Sequence, residues 1–251
     1  MRKFKTPAIL LLVTIGLLSG CTDKHDADAS PPPPVPIPTV SETPTPTKTP
    51  SAEPDPTLTA TIIPEKSIAL TFDDGPGEYT DDILEVLIEE EVPATFFVLG
   101  SEVTPQREAS LKRASEEGMS IQSHTWSHPD LRHQTREGIE RELNKTSDAI
   151  EEVTGEATTC YRPPYGSTSK QVRTATKDLG YTEMKWNVDS QDWQRPGANE
   201  IFKNAILPAY DGEPPVLLMH DGGGNREQTL EALPKIIQYY KDEGYTFIEA
   251  C

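Results

Sequence analysis

The sequence predicts an α/β fold, a closed or nearly closed (β/α) barrel of about seven parallel strands, and three observations lead to it. Between residues 65 and 251, short runs rich in β-branched and aromatic residues alternate with longer amphipathic stretches, the pattern of parallel strands joined by crossover helices. About seven such units fit this length, which favours a barrel over an open doubly wound sheet, although alternation alone leaves both available. The placement of reactive side chains separates the two. Asp73, His124, Arg162, Asp192 and His220 each fall at or just beyond the C-terminal end of a different predicted strand. Barrel enzymes gather their chemistry there, whereas an open sheet concentrates it at one crevice.

The first strand is predicted over 67–72 by the apolar run Ser67-Ile-Ala-Leu-Thr-Phe72, and Asp73-Asp74-Gly75-Pro76 then makes a tight turn that leaves two carboxylates at the strand's end. An amphipathic helix over 80–91 precedes a strand over 94–99, and a helix over 107–117 precedes a strand over 119–123. Next come a helix over 136–153, a strand over 158–162, a helix over 169–179 and a strand over 183–188. A helix over 198–207, a strand over 215–220, a helix over 229–243 and a strand over 246–250 complete the series. Gly118, Gly155, Gly180 and Gly244 stand where helix C-caps are expected.

Upstream, Arg2, Lys3 and Lys5 precede an apolar core from Ala8 to Leu18 and the sequence Leu18-Ser-Gly-Cys21. Residues 1–20 therefore read as an export signal, too short in its apolar part for a comfortable transmembrane helix. The segment resembles a bacterial lipoprotein signal, which implies a lipidated Cys21 as the mature N-terminus, anchored to the membrane without spanning it and facing the cell wall; the alternative is an ordinary secretory peptide and a secreted protein. Residues 21–64 consist largely of Pro, Thr, Ser, Asp and Ala, with Pro31 to Pro34 and repeated Thr-Pro steps between Thr43 and Pro50. Such a chain buries no core, so a semi-rigid tether is expected before one folded domain at 65–251. The net charge of −18 repels phosphates and excludes nucleic acid as a partner, while a neutral or cationic substrate fits. A monomer is expected. Cys160 and Cys251 stand in a chain predicted to be exported, where a disulfide can persist, but sequence leaves open whether their backbones approach.

Asp73-Asp74, taken with His124 and His128, supplies a metal site and a spare carboxylate. Neutral imidazoles plus one carboxylate form the ligand set of a catalytic zinc-type ion with a place left for water, so one Asp can bind while the other acts in a hydrolysis. His124-Thr-Trp-Ser-His128 has the spacing of a zincin helix but lacks its central Glu, and Pro129 opposes a long helix, so the base comes from elsewhere. Trp126, between the ligands, either touches substrate or braces the loop. The remaining motifs are Arg162-Pro-Pro-Tyr-Gly166, Asp189-Ser-Gln-Asp-Trp193 and Leu218-Met-His-Asp-Gly222. With all five in this order, the region from about Ser67 to Ile248 resembles the polysaccharide deacetylase family, the NodB-homology domain of carbohydrate esterase family 4.

That resemblance implies a distorted (β/α) barrel, a divalent metal (zinc first, cobalt as an alternative) and removal of acetyl groups from N- or O-acetylated glycans. It makes Asp74, His124 and His128 the metal ligands and Asp73 the general base, held by Arg162, whose charge should depress the Asp73 pKa. It also makes the backbone N–H of Tyr165 an oxyanion donor and His220 the general acid, partnered by Asp192. Trp193 and Leu218 are expected to wall the acetyl-methyl pocket. The expected substrate is a glycan containing N-acetylglucosamine, peptidoglycan or chitin oligosaccharides. Acetylxylan O-ester hydrolysis by the same site is the enzymatic alternative, and a non-catalytic wall-binding lipoprotein is the alternative of another class.

Overall fold

The apolar run at 67–72 becomes a strand that is buried along its whole length and pairs with three others. The computed structural model describes residues 66–251 apart from 210; the predicted export signal, Cys21 and the tether lie outside them. In chain order the elements are β1 (Ser67–Asp73), α1 (Thr80–Glu89), β2 (Thr95–Val98), α2 (Glu108–Glu116), β3 (Ser120–Ser123), α3 (Arg136–Thr154) and β4 (Cys160–Tyr161). These are followed by α4 (Lys170–Asp178), β5 (Thr182–Glu183), β6 (Val188–Asp189), α5 (Ala198–Ala205), β7 (Val216–His220), α6 (Glu227–Asp242) and β8 (Thr246–Phe247). The predicted helices fall close to those observed. Gly118, Gly155, Gly180 and Gly244 all take a positive φ of 73° to 88°, so each helix stops where a residue without a Cβ lets the chain turn left-handed.

All pairings are parallel, in the order β5-β4-β3-β2-β1-β7-β6, with β8 joined to the start of β1 through Ser67↔Thr246. The two-residue period of β1 divides it. Ile68, Leu70 and Phe72 join the main apolar core, where Phe72 stacks on Phe96 with ring centroids 5.2 Å apart. The alternate residues Thr71 and Asp73 face the other side and meet Arg162. Thr71 keeps its buried hydroxyl satisfied by donating to the Leu217 carbonyl at 2.6 Å. The concave side of the sheet thus carries charged groups and the convex side carries the core.

The predicted strand at 183–188 is two strands, β5 and β6, which lie on opposite edges of the sheet. Between them, the Met184 N–H still bonds Tyr161 O in β4 and the Asn187 N–H already bonds Val216 O in β7, while the Lys185 carbonyl accepts from Arg162 Nη2 at 3.1 Å and the Asn187 side chain bonds Pro214 O and Val216 N, so the segment leaves one strand neighbour for another. Five Cα steps separate Glu183 from Val188 and span at most about 18 Å, so the two sheet edges must curl toward each other. This gives the predicted near-closed barrel the form of a half-barrel with an open seam.

A second, smaller apolar cluster under α3 and α4 contains Leu131, Ile139, Leu143, Tyr161 and Val172. Cys160 and Cys251 are joined by a disulfide with a Cα separation of 6.4 Å, which settles the pairing that sequence left open. No helix among the described residues is long and apolar enough to cross a membrane.

Candidate active site

Tight turns at the C-terminal ends of the strands aim the reactive groups into one cleft. Asp74 (φ 72°), Thr125 (φ 73°), His128 (φ 58°) and Tyr165 (φ 59°) all adopt the left-handed conformation that non-glycine residues avoid, so surrounding contacts must hold them there. Part of that support is visible behind Asp73, whose carbonyl accepts from the N–H groups of Asp221 and Gly222 at 3.2 and 3.3 Å.

Asp74 Oδ1 lies 3.6 Å from His124 Nε2 and 3.5 Å from His128 Nε2, and one donor atom from each of the three residues lies within 4.8 Å of the others. Asp74 Oδ1 is buried without a hydrogen-bond partner, an arrangement that is costly unless a cation completes it. His124 Nδ1 sits 2.8 Å from the Arg162 carbonyl, which can only accept, so Nδ1 carries the proton and Nε2 presents its lone pair to the cluster. Burial holds the His124 pKa down to about 3, keeping the ring neutral as a ligand requires. The donor set fits a divalent ion.

Beside this cluster lie two buried hydrogen-bonded pairs of opposite charge type. Asp73 Oδ1 accepts from Arg162 Nη1 at 2.8 Å, while Asp73 Oδ2 faces His124 Nε2 at 3.7 Å. Both partners are buried, and the Arg162 guanidinium stacks over Phe97 at 4.1 Å. The expectation that Arg162 depresses the Asp73 pKa captures only one of two opposing effects. Burial is the larger, and it raises the carboxyl above its usual range despite the guanidinium.

His220 Nδ1 is 2.7 Å from Asp192 Oδ1, and Asp192 Oδ2 accepts from the His220 backbone N–H and from Thr229 Oγ1 at 2.9 and 2.8 Å. Burial disfavours charge on both groups, but their mutual bond outweighs it: the His220 pKa is raised and that of Asp192 lowered. The other ring nitrogen of His220 is left for the cleft.

The cleft has a volume of about 440 Å³ and is lined by Asp73, Asp74, His124, His128, His220, Tyr165, Trp193 and Leu218. Leu218 is buried, whereas Trp193 and Tyr165 are 54% and 68% exposed, so each presents an aromatic face at the rim. The Tyr165 ring meets His128 edge-on at 4.6 Å. The Pro163–Ser167 turn is closed by the N–H groups of Gly166 and Ser167, not by that of Tyr165. Of the site residues predicted from sequence, Cys21 lies outside the described region, eight line this cleft, and Arg162 and Asp192 stand behind it, bonded to Asp73 and His220. Trp126 braces the loop: it packs over Gly100, whose added Cβ would lie 2.5 Å from the indole, and Lys145 sits 3.5 Å above its ring.

Trp186 and Asp189 also line the cleft and were not given roles from sequence. Asp189 opens one of the quoted motifs, which was the available signal; Trp186 sat inside a predicted strand and gave none. Asp221, next to His220, is fully buried, and burial pushes its carboxyl up to about 7 while Thr80 donates to it at 2.5 Å.

A parallel half-barrel whose strand ends collect a carboxylate–imidazole cluster and two buried acid–base pairs defines the class: an α/β protein with a candidate metal-assisted hydrolase cleft. The Polysaccharide deacetylase family profile matches residues 62–184. A chitooligosaccharide deacetylase of Rhizobium leguminosarum is 36% identical over 194 residues, covering 72% of this chain and 89% of the relative. The chain belongs to the polysaccharide deacetylase family. The peptidoglycan-N-acetylglucosamine deacetylase PgdA of Listeria monocytogenes is 39% identical over 184 residues, 73% of this chain, and the match spans only 38% of that longer protein. Among solved structures, the Bc1960 peptidoglycan N-acetylglucosamine deacetylase superposes with a TM-score of 0.67 at 34% identity, covering 73% of this chain and 85% of that one.

Proposed function

We propose that this protein is a metal-dependent deacetylase that hydrolyses N-acetyl groups of a glycan containing N-acetylglucosamine, peptidoglycan or chitin oligosaccharides. One observation carries the reading: the Asp73–Arg162 and His220–Asp192 pairs open into the same cleft as the Asp74, His124 and His128 donors. Those three residues would hold zinc or cobalt, which when bound supplies Lewis-acid polarisation of the acetyl carbonyl and of water.

The protein's own groups manage the protons. Asp73, with one oxygen fixed by Arg162, uses the other to take a proton from the attacking water as its oxygen bonds to the acetyl carbon. The Tyr165 N–H donates to the developing oxyanion, a role neither preceding proline can fill. His220, held as an imidazolium by Asp192, gives its proton to the sugar nitrogen as the C–N bond breaks, releasing acetate and an amine. Trp193 and Leu218 enclose the acetyl methyl.

The test is acetate release from chitin oligosaccharides, peptidoglycan and acetylxylan, each with added zinc or cobalt and again with a chelator. Chelator-sensitive release, greatest from the N-acetylated substrates, is expected. Preference for acetylxylan would favour the ester reading, and no release with metal bound would favour a non-catalytic wall-binding protein.

We also propose that residues 1–20 direct export, that Cys21 is lipidated, and that residues 21–64 tether the domain of 65–251 outside the membrane. The composition of those segments supports this reading. Incorporation of labelled fatty acid into the protein in cells, lost in Cys21→Ala, is the expected result.

A further inference from the structure

We infer that Glu142, on α3 and outside every motif, is a positioning residue for the cation site: its carboxylate holds the backbone between His124 and His128 in the shape that turns both imidazoles toward Asp74. The inference rests on reading Asp74, His124 and His128 as that site.

The loop is short and strained, with Thr125 and His128 both at positive φ. Such a residue is strained and persists only where surrounding contacts over-determine it. All five backbone N–H groups of the loop are bonded. That of His124 bonds Val98 O at 2.8 Å, that of Thr125 bonds Ser123 Oγ at 3.2 Å, and that of His128 bonds Thr125 Oγ1 at 3.2 Å. The two in the middle, Trp126 and Ser127, both donate to Glu142 Oε2 at 2.9 Å, and Ser127 Oγ donates to Oε1 at 3.0 Å. The first three partners come from the loop itself or from strands beside it; Glu142 is the helix side chain that completes the set.

The same face of α3 presents Lys145 over the Trp126 ring, one turn on from Glu142. From the turn after β2, Gly100 N and Ser101 N donate to the Thr125 and Trp126 carbonyls at 3.1 and 3.0 Å. The loop is therefore held at its amides by α3 and at its carbonyls by the turn after β2. Without Glu142, two amides between two strained residues lose their partner, and the loop is free to relax toward conformations in which the two Nε2 atoms no longer converge.

The experiment measures zinc affinity of the purified full chain by competition with a chromophoric chelator, alongside acetate release titrated with zinc and a near-ultraviolet circular dichroism check of folding. Glu142→Ala is expected to weaken zinc binding by about 10–100-fold while acetate release recovers at saturating zinc. Glu142→Gln, whose amide oxygen can still accept from both N–H groups, should bind zinc nearly as tightly as the parent. A Glu142→Ala protein that folds and binds zinc as tightly as the parent overturns the inference, as does equal weakening by Ala and Gln, which would make charge rather than loop shape the cause. If the Ala variant does not fold, Glu142→Asp, too short to reach both amides, takes its place with the same expected weakening and the same overturning result. A parent protein that binds no zinc sinks the cation site itself and the inference with it.

Discussion

Asp73 uses its two carboxylate oxygens differently: one is spent on Arg162, and the other faces the histidine cluster. Asp73→Asn keeps the shape and removes the proton acceptor, so acetate release should fall by about 10²–10⁴-fold while bound zinc, measured by elemental analysis, stays stoichiometric. His220 makes the complementary prediction about pH. In the proposed mechanism His220 acts only when protonated, so the rate should fall as pH rises through its raised pKa. Asp192→Asn removes the charge that holds the imidazolium, lowers that pKa, and should move the high-pH limb of a pH–rate profile to lower pH.

The same pair has a signature in stability. The raised His220 contributes stability that is complete below its unfolded pKa and lost as pH rises through the folded value. The lowered Asp192 contributes stability that is complete above its unfolded pKa and lost as pH falls through the folded value. Their joint contribution is therefore complete between about pH 4 and 6.5, and denaturant midpoints for Asp192→Asn should lie furthest below the parent in that window.

At the scale of elements, the site depends on how closely the turns after β1 and β7 approach. A Cβ on Gly222 would lie 1.9 Å from the Asp74 carbonyl oxygen, a backbone atom that cannot rotate away. Gly222→Ala should therefore push the two turns apart and displace Asp74, with zinc affinity and acetate release falling together. A change at the start of α3 tests a milder dependence. Thr135 caps that helix by accepting from the Gly138 N–H at 3.1 Å, and Thr135→Ala should cost about 1 kcal/mol of stability in denaturant unfolding. Element positions were legible from sequence because helix and strand periods and glycine caps are local signals. The segment at 183–188 was not, because one apolar stretch reads the same whether it stays in one strand or crosses from edge to edge.

Over the whole molecule, the disulfide ties β4, two residues before Arg162, to the end of the chain across a separation of 91 residues. Cys251→Ala should lower stability by about 2–4 kcal/mol, read from the denaturant midpoint, through the chain entropy returned to the unfolded state. The sequence by itself determined the parallel α/β architecture, the carboxylate–imidazole set at the strand ends and the motif residues around it. Each rests on periodicity or on neighbours a few positions apart. Tertiary structure alone decided the half-barrel seam, the Cys160–Cys251 pairing, the lining by Trp186 and the grip of Glu142 on a loop fifteen residues upstream. It also decided the balance at Asp73, where the charge of Arg162 could be anticipated but the larger effect of burial could not. Burial and closure depend on which distant segments surround a group, and no spacing along the chain encodes that directly.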